Sequence, residues 1–207
     1  MADAKVRTLG VLLFPDFELL DVFGPVEMFG NLMGVVNVVM VGREPGLVRS
    51  AQGPRVQADH GLADCPPLDL VMVPGGIGTR EAIRDAALLD WLRARVAAAE
   101  VAMTVCTGTE LLAEAGLLDG RRATTNKMLF TRLESEWPLV RWVREARWVE
   151  DGKFVTSSGV SAGIDMALAV IARIVGLQAS EALAAATEYE WHRDASWDPF
   201  AKVHGLV

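Results

Sequence analysis

Cys106 is the residue best placed to do chemistry. It stands in Val101–Leu112, VAMTVCTGTELL, where an apolar run (Val101, Ala102, Met103, Val105) stops at the cysteine and Thr107-Gly108-Thr109 opens a segment with helical spacing. That pattern predicts a buried strand turning sharply into a helix. A nucleophile on such a turn stands at the carboxyl end of a sheet, facing the positive end of the following helix. The expected consequence is a thiolate, with the cysteine pKa drawn down from ~8.5 to ~3.5–7.5. The Gly-x-nucleophile-x-Gly elbow is half met: Gly108 fits, but Thr104 occupies the other glycine position. The competing reading of Cys106 is a small buried hydrophobe.

Two further stretches carry candidates. Asp21 falls four residues after Phe17, on the helical face shared by Phe17, Leu20, Gly24 and Met28. A carboxylate on an apolar stripe is costly unless it is paired. It either caps a helix starting near Pro25 or is a buried acid aimed at the strand ends. Pro74-Gly75-Gly76-Ile77-Gly78 follows the run LDLVMV directly, so its backbone N–H groups can cradle an anion, or the glycines simply permit a tight turn. It has neither the Lys-Ser/Thr of a phosphate loop nor the dinucleotide glycine order.

These residues need a scaffold. Strands are expected at Val6–Phe14, Val35–Val41, Leu68–Val73 and Val101–Val105, with a short one at Arg122–Thr125. Hairpins are expected within Leu47–Ala58 and from Trp142–Val149 to Lys153–Ser157 around Asp151-Gly152. Helices are expected over Asp16–Met33, Asp85–Glu100, Cys106 to Leu118, Asn126–Trp137, Ser161–Val175 and Ala179–Arg193. The tail carries Trp197 and Phe200, aromatics suited to packing over a neighbouring edge or a partner subunit. Alternating strands and helices imply an α/β, doubly wound, mostly parallel sheet covered on both faces, in one domain spanning residues 1–207. In that architecture ligands sit outside the carboxyl ends of the strands, which brings the Asp16–Asp21 turn, the PGGIG loop and Cys106 to one end.

Composition narrows the function. The 207 residues are 51% hydrophobic and 23% charged, which indicates a globular chain. A net charge of −7 argues against nucleic acid, and Arg141, Arg144 and Arg147, interrupted by Glu145 and Glu150, read as a solvated face. No apolar run reaches the ~20 residues that cross a bilayer. MADAKVRT has no signal-peptide core, so a cytoplasmic protein is expected. Two cysteines (Cys65 as structural filler) and three scattered histidines give no metal-ligand spacing, and no cofactor is expected.

The segments LLFPDFELLDVFGPVEMF, VMVPGGIG, VAMTVCTGTELLAEAGLLDGRRATT and TSSGVSAGIDMALA together resemble the ThiJ/PfpI superfamily. This is the flavodoxin-like group related to class I glutamine amidotransferases and including the parkinsonism-associated deglycase. The resemblance covers about Val6 to Arg193 and is nearest the isonitrile hydratase branch. It implies Cys106 as nucleophile, Asp21 as the acid beside its sulfur, and Thr107 as the threonine tied to isonitrile hydration. It also implies oxyanion-hole-like donors at Gly75, Gly76 and the Thr107 N–H, with Ile77 and Asn126 at the substrate, and a homodimer. Two departures stand out. Thr107 replaces the histidine of the protease-like members, which removes support for a Cys-His peptidase. Asn126 replaces a histidine found in many relatives. Three functions follow as expectations: cofactor-free hydration of a small electrophile such as an isonitrile, glyoxalase- or deglycase-like action on 2-oxoaldehydes, or a non-enzymatic redox sensor.

Overall fold

The computed structural model describes residues 5–207. Residues 1–4, which begin the segment expected to lack a signal-peptide core, lie outside the described residues. The chain runs β1 (Arg7–Leu12), α1 (Leu19–Gly30), β2 (Val36–Val41), β3 (Gly46–Arg49), β4 (Arg55–Ala58), β5 (Leu70–Val73), α2 (Thr79–Ala82), α3 (Ala86–Ala98) and β6 (Val101–Thr104). It continues through α4 (Gly108–Glu114), β7 (Arg122–Ala123), α5 (Phe130–Glu136), β8 (Arg141–Trp142), β9 (Trp148–Asp151), β10 (Phe154–Ser157), α6 (Ala162–Ile174), α7 (Leu177–Ala186) and α8 (Pro199–Val203).

Six strands form the central sheet in the order β2-β1-β5-β6-β10-β9, parallel except for the edge strand β9. All four residues of β5, β6 and β10 are buried. Strands without a wet face require cover on both sides of the sheet, and the apolar, β-branched content of these runs suits that position. One set of helices joins α1 to α6 and α6 to α7; another joins α4 to α2 and α3. The α1–α6 contact is close because Gly24 and Gly163 carry no side chain there. A Cβ on Gly24 would sit 2.7 Å from Ile164, and one on Gly163 would sit 3.3 Å from Pro25. The result is the mostly parallel, flavodoxin-like α/β sheet with helices around it. From β1 the chain first moves outward to β2 and then returns to β5 on the other side. The carboxyl ends of β1, β5 and β6 therefore flank a topological switch point, where such sheets hold ligands.

Several elements differ from the sequence expectation. α1 starts at Leu19 and carries Pro25 inside it, so Asp21 is a buried third-position residue rather than a cap near Pro25. Trp142 leaves the expected hairpin and, with Arg141, pairs in parallel with Arg122–Ala123, while Trp148–Asp151 alone pairs with β10. Trp142 is held there by its indole N–H on the Trp137 carbonyl and by an edge contact with Phe130. α5 begins at Phe130, because Asn126 Oδ1 accepts the Leu129 N–H and closes a turn ahead of the helix. α4 stops at Glu114, with Gly116 at φ 72°. α7 stops at Ala186 instead of running to Arg193. Beyond it Glu188 takes φ 52°, and Asp165 accepts from the Tyr189 hydroxyl and the His192 N–H, pulling the chain away from helical geometry. Arg147, expected on a solvated face, is buried and ion-paired with Asp165 at 2.6 Å; only Arg141 and Arg144 of that group face solvent.

Candidate active site

The turn between β6 and α4 holds Cys106 at φ 58°, a left-handed conformation that costs a non-glycine residue ~1–3 kcal/mol. The surroundings hold it there. The Cys106 N–H donates to the Ser158 carbonyl at 3.0 Å, and the Cys106 carbonyl accepts from Thr125 Oγ1 at 2.8 Å and from Thr109 Oγ1 at 3.4 Å. Two residues on, Gly108 packs against the end of β5: a Cβ there would lie 2.7 Å from the Pro74 oxygen and nearer still to that of Val73. Thr104 fills the position where an elbow usually has glycine. It is tolerated because its hydroxyl is satisfied by Thr109 Oγ1 at 2.7 Å.

Asp21 comes to this turn from α1. It is fully buried, and its Oδ2 accepts the Gly75 N–H at 2.8 Å. Oδ1 has no well-formed hydrogen bond among the described residues. The Cys106 side chain is near enough to bear on the carboxyl's titration. Burial raises the Asp21 pKa from 3.8 to about 7. Glu18 adds to the rise, while the Gly75 N–H and the Cys106 side chain oppose it. Burial also pushes the Cys106 thiol up, reinforced by Asp21, against the Thr107 N–H, the Val160 N–H and the Asn126 side chain. This departs from the expectation of a resting thiolate. The donors around the sulfur are present, but the cost of charging a buried thiol beside a carboxylate outweighs them. The thiol therefore stays neutral near neutral pH, and the pair gains its one negative charge on the carboxyl as pH rises through about 7.

The residue nonetheless borders open space. Cys106 retains 6% exposure and lines a cavity of about 320 Å³ together with Gly76, Ile77, Thr107, Asn126 and Val160. Asn126 has a defined orientation: Oδ1 accepts from Leu129, which leaves Nδ2 as donor toward the sulfur, and Nδ2 also lies 2.6 Å from where a Cβ on Gly159 would sit. Thr107 is buried, its hydroxyl accepting from the Gly76 N–H at 3.0 Å. The Gly75 and Gly76 amides expected to serve an oxyanion are thus already engaged, one by Asp21 and the other by Thr107. The glycines here serve close approach: a Cβ on Gly75 would lie 2.6 Å from the Thr107 nitrogen and 2.9 Å from Asp21 Oδ2. Ile77 stands exposed at the rim.

The sequence reading missed Val160, whose φ of 42° turns its N–H to the sulfur, along with Glu18, Arg80, Met128 and Arg132, which line the same cavity. Only Gly159 in TSSGVSAG could have signalled a close approach there. Arg132 pairs with the fully buried Glu110 at 2.5 Å. Among the described residues no group of three His, Cys, Asp or Glu gathers as metal ligands, and no helix is long and apolar enough to cross a membrane.

The sequence is 35% identical to an isonitrile hydratase of Pseudomonas putida, over 87% of this chain and 78% of that protein. It is 29% identical to the HTH-type transcriptional regulator GbdR of Pseudomonas aeruginosa, over 89% of this chain but only 51% of the regulator. Among solved structures, a THiJ/PfpI family protein from Pseudomonas syringae superposes with a TM-score of 0.84 at 30% identity, covering 91% of this chain and 77% of that one. The DJ-1/PfpI family pattern matches residues 7–173, from the first strand through the elbow into the penultimate residue of α6; the chain belongs to the DJ-1/PfpI family.

Proposed function

We propose that this protein is a cofactor-free, cysteine-dependent hydratase that adds water to a small electrophilic carbon, converting an isonitrile to an N-substituted formamide. The observation that carries the reading is the buried Asp21–Cys106 pair, a carboxyl that titrates at about 7 beside a thiol held neutral. Isonitrile hydration requires a nucleophile and a group that both takes and returns protons near neutral pH. The 35% identity to an isonitrile hydratase supports the same reading.

The Asp21 carboxylate takes the thiol proton as sulfur bonds to the terminal carbon, and the same proton is then delivered to that carbon, giving a thioimidate. Water adds to the thioimidate carbon while the carboxylate accepts one of its protons and passes it to nitrogen. The tetrahedral adduct breaks its C–S bond, sulfur recovers the hydroxyl proton, and the formamide leaves. The Thr107 and Val160 N–H groups and the Asn126 amide stabilise sulfur whenever it carries charge.

A thiol kept neutral by burial weighs against a peroxide sensor, which depends on thiolate character. The purified protein assayed with cyclohexyl isocyanide is expected to release the N-cyclohexyl formamide and to leave methylglyoxal unchanged. Turnover of methylglyoxal alone would assign the 2-oxoaldehyde chemistry instead. Turnover of neither, with Cys106 oxidised by dilute peroxide, would make the protein a sensor.

A further inference from the structure

The cavity at Cys106 does not end at the reacting atoms. Asn126, Met128 and Val160 also line an adjoining cavity of about 230 Å³. Ser161 and Phe200 are in turn shared between that cavity and an outer one of about 690 Å³, which reaches Trp191 and Trp197. Through these shared walls the three cavities follow one another in series from Cys106 to an aromatic end. Their rims keep large apolar side chains in water: Met128 is 68% exposed, Trp197 55% and Phe200 51%. In the outer cavity Trp191, Trp197 and Phe200 stand beside Arg147, His192, Arg193 and Asp194, so aromatic walls alternate with polar and charged groups; apolar walls with polar groups among them are the usual make-up of a small-molecule site.

We propose that this series of cavities is a substrate channel. The molecule whose electrophilic carbon meets Cys106 carries an apolar, aryl or alkyl arm that passes over Met128 and Phe200 and ends against Trp197. Continuity with the sulfur singles out this occupant, because a second protein subunit covering the tail would have no need of a passage to the nucleophile. Asn126 and Val160 mark the joint between the two ends. Their N–H groups face the sulfur while the same residues form the first wall of the adjoining cavity. The inference rests on Cys106 being the reacting group and gives the proposed electrophile its shape.

The test compares two alkylating agents with the same warhead, iodoacetamide and N-(3-phenylpropyl)iodoacetamide. Their rates at Cys106 are followed by peptide mass spectrometry and normalised to free cysteine. The arm-bearing reagent is expected to react about tenfold faster or more, the scale of discrimination a hydrophobic pocket achieves. Phe200→Ala and Trp197→Ala, both at exposed positions, are expected to remove that advantage while leaving the iodoacetamide rate unchanged. Equal normalised rates, or an advantage that survives both substitutions, would overturn the channel. So would sedimentation showing that Phe200→Ala splits a dimer while the advantage persists, which would make this face a subunit contact. The measurement needs no turnover. An advantage retained by a protein inert toward isonitriles would keep the channel and sink the hydration reading, and no alkylation of Cys106 by either reagent would sink both.

Discussion

Asp21→Asn is expected to make the protein more stable and much less active. The unfolded chain ionises this carboxyl near 3.8, whereas the folded protein holds its proton until about 7. Between those values the native state binds more protons than the unfolded one, so stability falls as pH rises through the interval and is level above it. At ~1.4 kcal/mol per pH decade, the interval amounts to about 4 kcal/mol of stability lost by pH 7–8. Asparagine removes that loss, and its Oδ1 can still accept the Gly75 N–H that Asp21 Oδ2 accepts now. The assay is urea unfolding of both proteins from pH 4.5 to 8.5. Groups titrating elsewhere cancel in the difference, which should widen in favour of the variant up to about pH 7. Turnover of isonitrile should fall ~10²–10⁴-fold with the loss of the proton carrier. Because Asp21 is one of the causes holding the thiol pKa up, alkylation of Cys106 by iodoacetamide at pH 8–9 should become faster in the same variant. A stability difference that does not vary with pH would refute the buried, proton-holding carboxyl. A variant that turns over at the parental rate would refute its part in the chemistry.

Other perturbations bear on separate links of the reasoning. If the parental protein hydrates isonitriles as proposed, its kcat/KM should rise with pH through about 7, as the Asp21 carboxylate becomes available to take the thiol proton; a profile flat from pH 5.5 to 8.5 contradicts this. Asn126→Asp keeps the acceptor for the Leu129 N–H but replaces the donor facing sulfur with a second negative group, so Cys106 alkylation should slow about tenfold or more. An unchanged rate would remove Asn126 from the site. Gly108→Ala, a substitution that favours helix elsewhere, should cost ~3 kcal/mol or more, because its Cβ meets the backbone oxygens at the end of β5. A melting temperature equal to the parent's would show that the elbow has room. Arg147→Met leaves Asp165 charged and buried without its guanidinium and should cost ~3–5 kcal/mol, read by thermal melting.

Local pattern sufficed for the scaffold. Apolar runs of strand length, each ended by glycine, proline or a helical stripe, gave β1, β2, β5 and β6 to within a few residues, and the parallel order followed from their alternation with helices. The cysteine turn was legible because a strand that stops at Thr-Gly-Thr has few other continuations. Asp21 stood out because a carboxyl on an apolar stripe breaks the pattern around it. These are short-range signals, carried by side-chain period and by the few residues that permit a turn.

The rest depends on residues far apart in the chain. Whether Cys106 rests as thiol or thiolate is decided by burial together with Asp21, Thr107, Asn126 and Val160, which come from four separate stretches, and no single stretch shows which influence wins. The Gly75 amide looked free in sequence but is taken by a carboxyl 54 positions away. Arg147 looked solvated until Asp165 and the tail closed over it, and α7 ended early because Asp165 captured what followed. Sequence determined which elements form and where the nucleophile's turn falls, since both are set by neighbours along the chain. The tertiary structure decided the protonation of the site, the use of its amides and the cavities that adjoin it, since these are set by neighbours in space.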